Sequence, residues 1–189
     1  MTEARAARGM TTAEFLALPE ERVERWLIRG QLREKPKTFR DRWSARNLAR
    51  IAAFLEGWLE QQQGPRGLVL GGNAGVQLQR DPDTTVGMDV VYVSAEVAAR
   101  QSEETTLIEG VPVLVVEILS PNDTQDEIDE KIDTYLGAGV ALVWVINPRH
   151  RTVEIFRPGA EPVLVNVQQE LSGEPHLPGF QVPAAQLFA

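Results

Sequence analysis

Residues 111–121 read VPVLVVEILSP. Six of the first eight are Val, Leu or Ile, the composition of a strand buried on both faces. Glu117 interrupts it. An unpaired carboxylate in such a strand costs several kcal/mol or is forced to neutralise. The sequence therefore requires either a neutral, hydrogen-bonded Glu117 or a positive group beside it. Residues alternate across a strand, so Glu117 shares a face with Val113, Val115 and Leu119.

The neighbouring segments give that strand a setting. Pro121-Asn122-Asp123 reads as a stop and a helix cap, Thr124 to about Leu136 as a helix ending at Gly137-Ala138-Gly139, and ALVWVIN (141–147) as a second buried strand. Strand, helix, strand of this kind is a right-handed crossover between parallel strands. Short strands at 68–70, 75–79 and 89–93, separated by Gly and Asp-Pro-Asp turns, predict an antiparallel meander ahead of it. A long helix capped by Ser44 runs to Gln63, with Leu48, Ile51, Leu55 and Leu59 at helical spacing. Thr11 or Thr12 caps a short helix in TAEFLALPE, and 26–32 reads as a short strand or turn. Residues 152–157 and 163–167 predict a final hairpin. The tail has no regular pattern and is packed down by Phe180 and Phe188. Trp43 and Trp58 are expected in the core. The whole predicts one α/β domain over 1–189, an α+β mixed sheet flanked by helices, with 1–43 a partly irregular N-terminal extension.

Composition narrows the chemistry. There is no cysteine and only His150 and His176, which disfavours thiolate and His-rich zinc sites. A bound metal would have oxygen ligands, so Mg²⁺ or Mn²⁺. No apolar run approaches a membrane span and MTEARAARGM lacks an apolar signal core, which predicts a cytoplasmic protein without membrane contact. The net charge of −8 divides unevenly, +5 over residues 1–50 and −13 over the rest. Arg33, Lys35, Lys37, Arg40, Arg42 and Arg46 concentrate in one stretch. Such asymmetry fits either a phosphate-binding face or a solvated charged one.

Asp89 opens the earlier strand. If that strand is an antiparallel neighbour of 113–119, Asp89 lies beside Glu117. Two adjacent carboxylates repel unless one is protonated or a cation joins them. On the following helix, Ile128, Ile132, Tyr135 and Leu136 span about 100° of arc, and Lys131 sits about 40° outside it, next to Tyr135. Of the 19 basic residues only three are Lys, and Lys131 is the only one beyond position 37. A lysine amine is a compact charge that burial can tune. It can reach the end of the sheet, or it can pair with Glu127 on an exposed helix edge. Two acids and a lysine around a hard cation suit phosphodiester hydrolysis.

The segments GMDVVYV, VPVLVVEILSPND and EKIDTYLGAGVALVWVINPRHRTVEIFR closely resemble the Uma-two family of the PD-(D/E)XK restriction-endonuclease-like superfamily. TTAEFLALPE and WLIRGQLRE are similar to its opening. The resemblance spans roughly 10–188. It implies a restriction-endonuclease-like core with Asp89 and Glu117 as metal ligands, the carbonyl of Ile118 as a third, Lys131 as the displaced catalytic lysine, and Ser120 in support. Met88 replaces the usual Pro. Gln31 stands where family members often carry Glu, and Arg42-Trp43-Ser44 where many carry a His. Glu24 or Glu34 is a candidate replacement. The resemblance implies a Mg²⁺- or Mn²⁺-dependent endonuclease acting on DNA, expected as a homodimer. A non-catalytic module binding nucleic acid or protein, and a hydrolase of another phosphate substrate, are the alternatives.

Overall fold

The computed structural model describes residues 9–19 and 21–189. Residues 1–8, which enter both the expected irregular extension and the signal-sequence reading, lie outside the described residues, as does Glu20. Helix α1 (Thr12–Leu16) is held by a capping box in which Thr11 and Glu14 satisfy each other's backbone amides. A tight hairpin follows, β1 (Val23–Ile28) and β2 (Gln31–Pro36). Its turn, Arg29-Gly30, has φ of 49° and 72°, the pair of left-handed residues that a two-residue hairpin needs. Helix α2 (Arg42–Glu60) leads to β3 (Leu68–Gln79), β4 (Thr84–Val93), α3 (Ala95–Ala99) and β5 (Ile108–Glu109). The crossover is β6 (Leu114–Ile118), α4 (Gln125–Gly137) and β7 (Leu142–Asn147). After it come β8 (Thr152–Phe156), β9 (Val163–Asn166), β10 (Glu170–Ser172) and β11 (Gln181–Pro183).

Among the described residues, nine strands form one sheet, with a main path β2-β1-β4-β6-β7-β8-β9. Strands β6 and β7 are parallel, joined by α4, and β7-β8-β9 is an antiparallel meander. The two faces bury different partners. Leu114, Val116 and Ile118 pack with Ile51 and Leu55 of α2. Val115, Val143 and Val145 pack with Ile128, Ile132 and Tyr135 of α4. Each fully buried aliphatic side chain contributes about 1.5–3 kcal/mol. The expected mixed sheet with helices covering it is therefore present, and the continuous apolar run at 113–116 follows from burial on both faces.

Several local readings are corrected. The segments at 68–70 and 75–79 are one strand, not two. Gly72 and Asn73, both at positive φ, form a bulge rather than a turn. Residues 26–32 lie within a full hairpin at the sheet edge, because Trp26 and Ile28 are core residues. The tail holds a small two-stranded sheet, β10-β11, with Phe180 buried. Asp41 caps α2, accepting from the amides of Trp43 (2.8 Å) and Ser44 (3.2 Å). Trp58 is buried, but Trp43 is 53% exposed. It lies about 100° round the helix from Ser44, off the buried stripe of Ser44, Asn47, Ile51 and Leu55.

The start of β3 is tightly fitted. A Cβ at Gly67 would stand 2.0 Å from the backbone oxygen of Val93, and backbone cannot rotate away. Gly67→Ala is expected to cost about 1–3 kcal/mol or more, read as a lower urea midpoint at unchanged slope.

Candidate active site

Strand β4 creates the site. Strand β3 occupies the whole of one edge. The other edge pairs with β1 at Thr85 and with β6 at Val90–Tyr92. Strands β1 and β6 thus diverge from a common neighbour, and Asp89 lies in the fork. Met88 and Val91 pack in the same half of the core although three apart, so the side-chain alternation slips by one at this point. The Asp89 carboxylate takes up the slack by accepting the Ile118 amide at 2.8 Å.

Glu117 enters the same pocket from β6. It is 4% exposed and has two donors, the Tyr135 hydroxyl at 2.5 Å and the Lys131 ammonium at 3.1 Å. Tyr135 and Lys131 are one helical turn apart on α4, and the capping box of Thr124 and Glu127 fixes where that helix begins. Lys131 is itself only 6% exposed. Its ammonium lies 5.8 Å from the Trp26 ring centroid, and that of Lys35 lies 5.6 Å away. Burial pushes the Glu117 carboxyl up. Lys131 pulls it back, the Asp89 charge adds to the rise, and the balance stays raised. Burial acts to lower the Lys131 amine, but the charge and hydrogen bond of Glu117 outweigh it and hold the amine above its ordinary value. Burial, and then Glu117, raises Tyr135 well above normal, so it remains a donor.

Arg40 closes the pocket. Its guanidinium grips both oxygens of Asp89 and reaches the Ile118 carbonyl at 3.4 Å. These are two of the three oxygen donors expected to hold a cation. Together they already hold a positive group, so a hard divalent ion fits their chemistry once Arg40 gives way. Among the described residues no cluster of three His, Cys, Asp or Glu side chains is arranged for a metal. The donor set expected from the sequence, two carboxylates and a carbonyl, would leave room for water and phosphate.

The other predicted residues divide into two groups. Ser120, Glu24 and Lys35 line this pocket with Asp123. Glu34 is bonded to Arg25, and Gln31 to Arg33. Arg33 pairs with Glu130, and Arg46 donates to the Ala189 oxygen at 2.7 Å. Arg42 lies over the Trp43 ring, and Lys37 is exposed. The basic stretch therefore does not form one face. Only Lys35 and Arg40 line the acidic pocket. Sequence reading missed Tyr135 as a partner of Glu117 and Arg40 as a partner of Asp89. The first was legible, since Tyr135 lies one turn from Lys131.

Lys35 joins the hairpin to the loop after β6 through Asp123, at 2.7 Å. Burial acts to raise Asp123, but the hydrogen bonds from Lys35 and the Ser120 amide hold it below the usual carboxylate range. A depressed carboxylate stabilises above its unfolded pKa and loses that contribution as pH falls through the folded one. Asp123→Asn is therefore expected to cost about 1 kcal/mol at neutral pH. The gap to the parent chain should persist down to the ordinary carboxylate range and close only below it. Thermal melts across pH check this.

The Uma2 family model, described as "Putative restriction endonuclease", matches residues 12–185. A solved structure, described as a "putative nuclease belonging to DUF820" from Anabaena variabilis ATCC 29413, superposes with a TM-score of 0.78 at 19% identity, covering 95% of this chain and 97% of that one. At that identity the likeness concerns the fold. No curated protein matches the sequence.

Proposed function

This chain belongs to the Uma2 family, and on that footing we propose that it is a divalent-metal-dependent endonuclease hydrolysing phosphodiester bonds, with DNA as substrate and Mg²⁺ or Mn²⁺ as cofactor. The observation that carries the reading is the convergence of Asp89, Glu117 and the Ile118 carbonyl at one pocket with a buried lysine. Those three groups would hold the ion. When bound, it supplies charge neutralisation at the phosphate and a water of lowered pKa.

The chain's own residues do the rest. Asp89 is fixed by the Ile118 amide, and the lone pairs that Arg40 now holds are those an ion would take. Tyr135 and Lys131 hold Glu117 in one orientation. Lys131 keeps its proton and places a positive charge where negative charge grows on the attacked phosphate. Ser120 lies at the pocket margin and Lys35 beside it, placed to meet the phosphate oxygens. Arg40 must leave Asp89 for the ion to enter. That same contact favours a second reading, a non-catalytic module whose site is closed by an internal ion pair.

Supercoiled plasmid with Mg²⁺ or Mn²⁺ separates the two. Nicking that is lost in Asp89→Asn, Glu117→Gln and Lys131→Met supports the nuclease. Nicking that survives all three removes this site from the reaction. Absence of cleavage across metals, DNA and RNA favours the module. Linear product without a nicked precursor would indicate two sites acting together, as in a homodimer. Among the described residues no helix is long and apolar enough to cross a membrane.

A further inference from the structure

Beside the acidic pocket runs a larger groove of about 850 Å³, and the two share Ser120. Its floor is the segment that follows Ile118, and its walls are the first turns of α2 and the β7–β8 turn. Trp43 and Arg46 come from the first wall, Arg149 and Arg151 from the second. The β7–β8 turn is pinned by the Asn147 side chain accepting the His150 amide at 3.0 Å, so its arginines sit on a fixed support. Among the described residues, neither Arg149 nor Arg151 has a side-chain partner, and both are exposed. The one acidic residue among the described lining, Asp41, is already engaged by two amides and by the Ser44 hydroxyl at 2.5 Å. The groove is thus cationic on a chain whose net charge is −8.

Trp43 supplies the second element. Its ring is off the buried stripe of α2 and half open to solvent. The Arg42 guanidinium lies 4.6 Å from its centroid. A surface arginine–tryptophan stack beside unpaired arginines offers what a nucleotide strand uses, phosphate contacts and a π-face for a base. A base pair within a duplex has no free face to present to such a ring.

We propose that this groove holds an unpaired DNA strand next to the scissile phosphate, with a base stacked on Trp43 and phosphates on Arg149 and Arg151. The inference rests on the nuclease reading for the position of the scissile phosphate. Its content is the substrate form, a flap, gap or single strand rather than continuous duplex. Ser120 lines both cavities, so a strand lying in the groove ends beside the pocket of Asp89 and Glu117.

Binding without cleavage tests it. The full chain, in EDTA, is titrated with a labelled oligothymidylate of about 15 nucleotides, with a duplex of the same length, and with an oligouridylate. The single DNA strand is expected to bind more tightly than the duplex. Trp43→Ala should weaken single-strand binding about tenfold or more, while duplex binding changes less than about twofold. Trp43→Phe should retain most of the affinity, and thermal melts check that both variants fold. Arg149→Ala and Arg151→Ala should each flatten the salt dependence by about 0.7 in log–log slope. Unchanged single-strand binding in Trp43→Ala would overturn the proposal. So would tighter binding of the duplex, tighter binding of the oligouridylate, or no binding by the parent chain. Plasmid nicking is read separately. Nicking with no effect of the groove variants leaves the nuclease standing without this groove. Strand binding through Trp43 with no cleavage of either plasmid or single strand in Mg²⁺ or Mn²⁺ leaves the groove standing without the chemistry.

Discussion

Lys131→Met is expected to destabilise the chain by about 3–5 kcal/mol at neutral pH. That is the usual cost of removing one partner from a buried ion pair. Both members are nearly inaccessible, and they meet at 3.1 Å between β6 and α4. Methionine matches the length of the lysine stem and favours the helix, so the loss comes from charge rather than packing or propensity. What remains is a carboxylate with one strong donor, Tyr135 at 2.5 Å, facing the Asp89 charge.

The pH dependence follows from the same geometry. Burial already raises Glu117, and loss of Lys131 raises it further. A carboxylate raised on folding is most favourable below its unfolded pKa, and stability is lost as pH rises through the folded one. The Lys131→Met deficit should therefore shrink in acid and grow toward alkaline pH. Adding Glu117→Gln should restore most of the stability at neutral pH, because the amide oxygen still accepts from Tyr135 and no unpaired charge is left buried. Urea unfolding of the four proteins gives the coupling. A single-variant cost near 0.3–0.5 kcal/mol, the value of an exposed helix pair, would show that water screens the pair and would remove the reason for reading Lys131 as more than structural. Cleavage should be absent from both Lys131 variants, so stability and chemistry separate in the double variant.

That pair was legible in the sequence for a definite reason. Strand alternation fixed the face of Glu117, the helical arc fixed that of Lys131, and a separation of only 14 residues brings those faces together. Asp89 was legible because antiparallel pairing places it at the level of Glu117, though the fork between β1 and β6 was not. Forks arise from twist and from partners far apart in the chain, which local periodicity does not encode. Arg40 was hidden for a related reason. It sits in a loop, 49 residues from Asp89, and a loop side chain has no period from which to read its direction. Trp43 was misread because size was allowed to outweigh position. The buried stripe at the start of α2 is made of Ser44 and Asn47, with the Asn47 amide donating to the Leu187 carbonyl at 2.6 Å. Buried polar residues there displaced the tryptophan from the core and left it at the groove.

Asp89→Asn is expected to abolish divalent-ion binding while leaving the fold nearly intact. The asparagine oxygen can still accept the Ile118 amide, so the structural loss should stay near 1 kcal/mol. The ion loses a charged ligand, and affinity should fall by at least about 100-fold, as binding at such sites follows ligand charge. Arg40→Ala should act in the opposite direction. In the parent chain an ion must displace a guanidinium that grips both Asp89 oxygens and touches the Ile118 carbonyl. The pair is partly buried, with Arg40 30% and Asp89 9% exposed, and if it is worth about 1 kcal/mol its removal should raise Mn²⁺ affinity about fivefold. Calorimetric titration with Mn²⁺ alone reads both effects without reference to cleavage. If neither substitution changes the affinity, the ion binds elsewhere and Asp89 is a structural acceptor. If Asp89→Asn abolishes binding and Arg40→Ala strengthens it, the two residues define one position contested by an internal cation and an external one. The strength of that contest then sets the metal concentration at which the pocket opens.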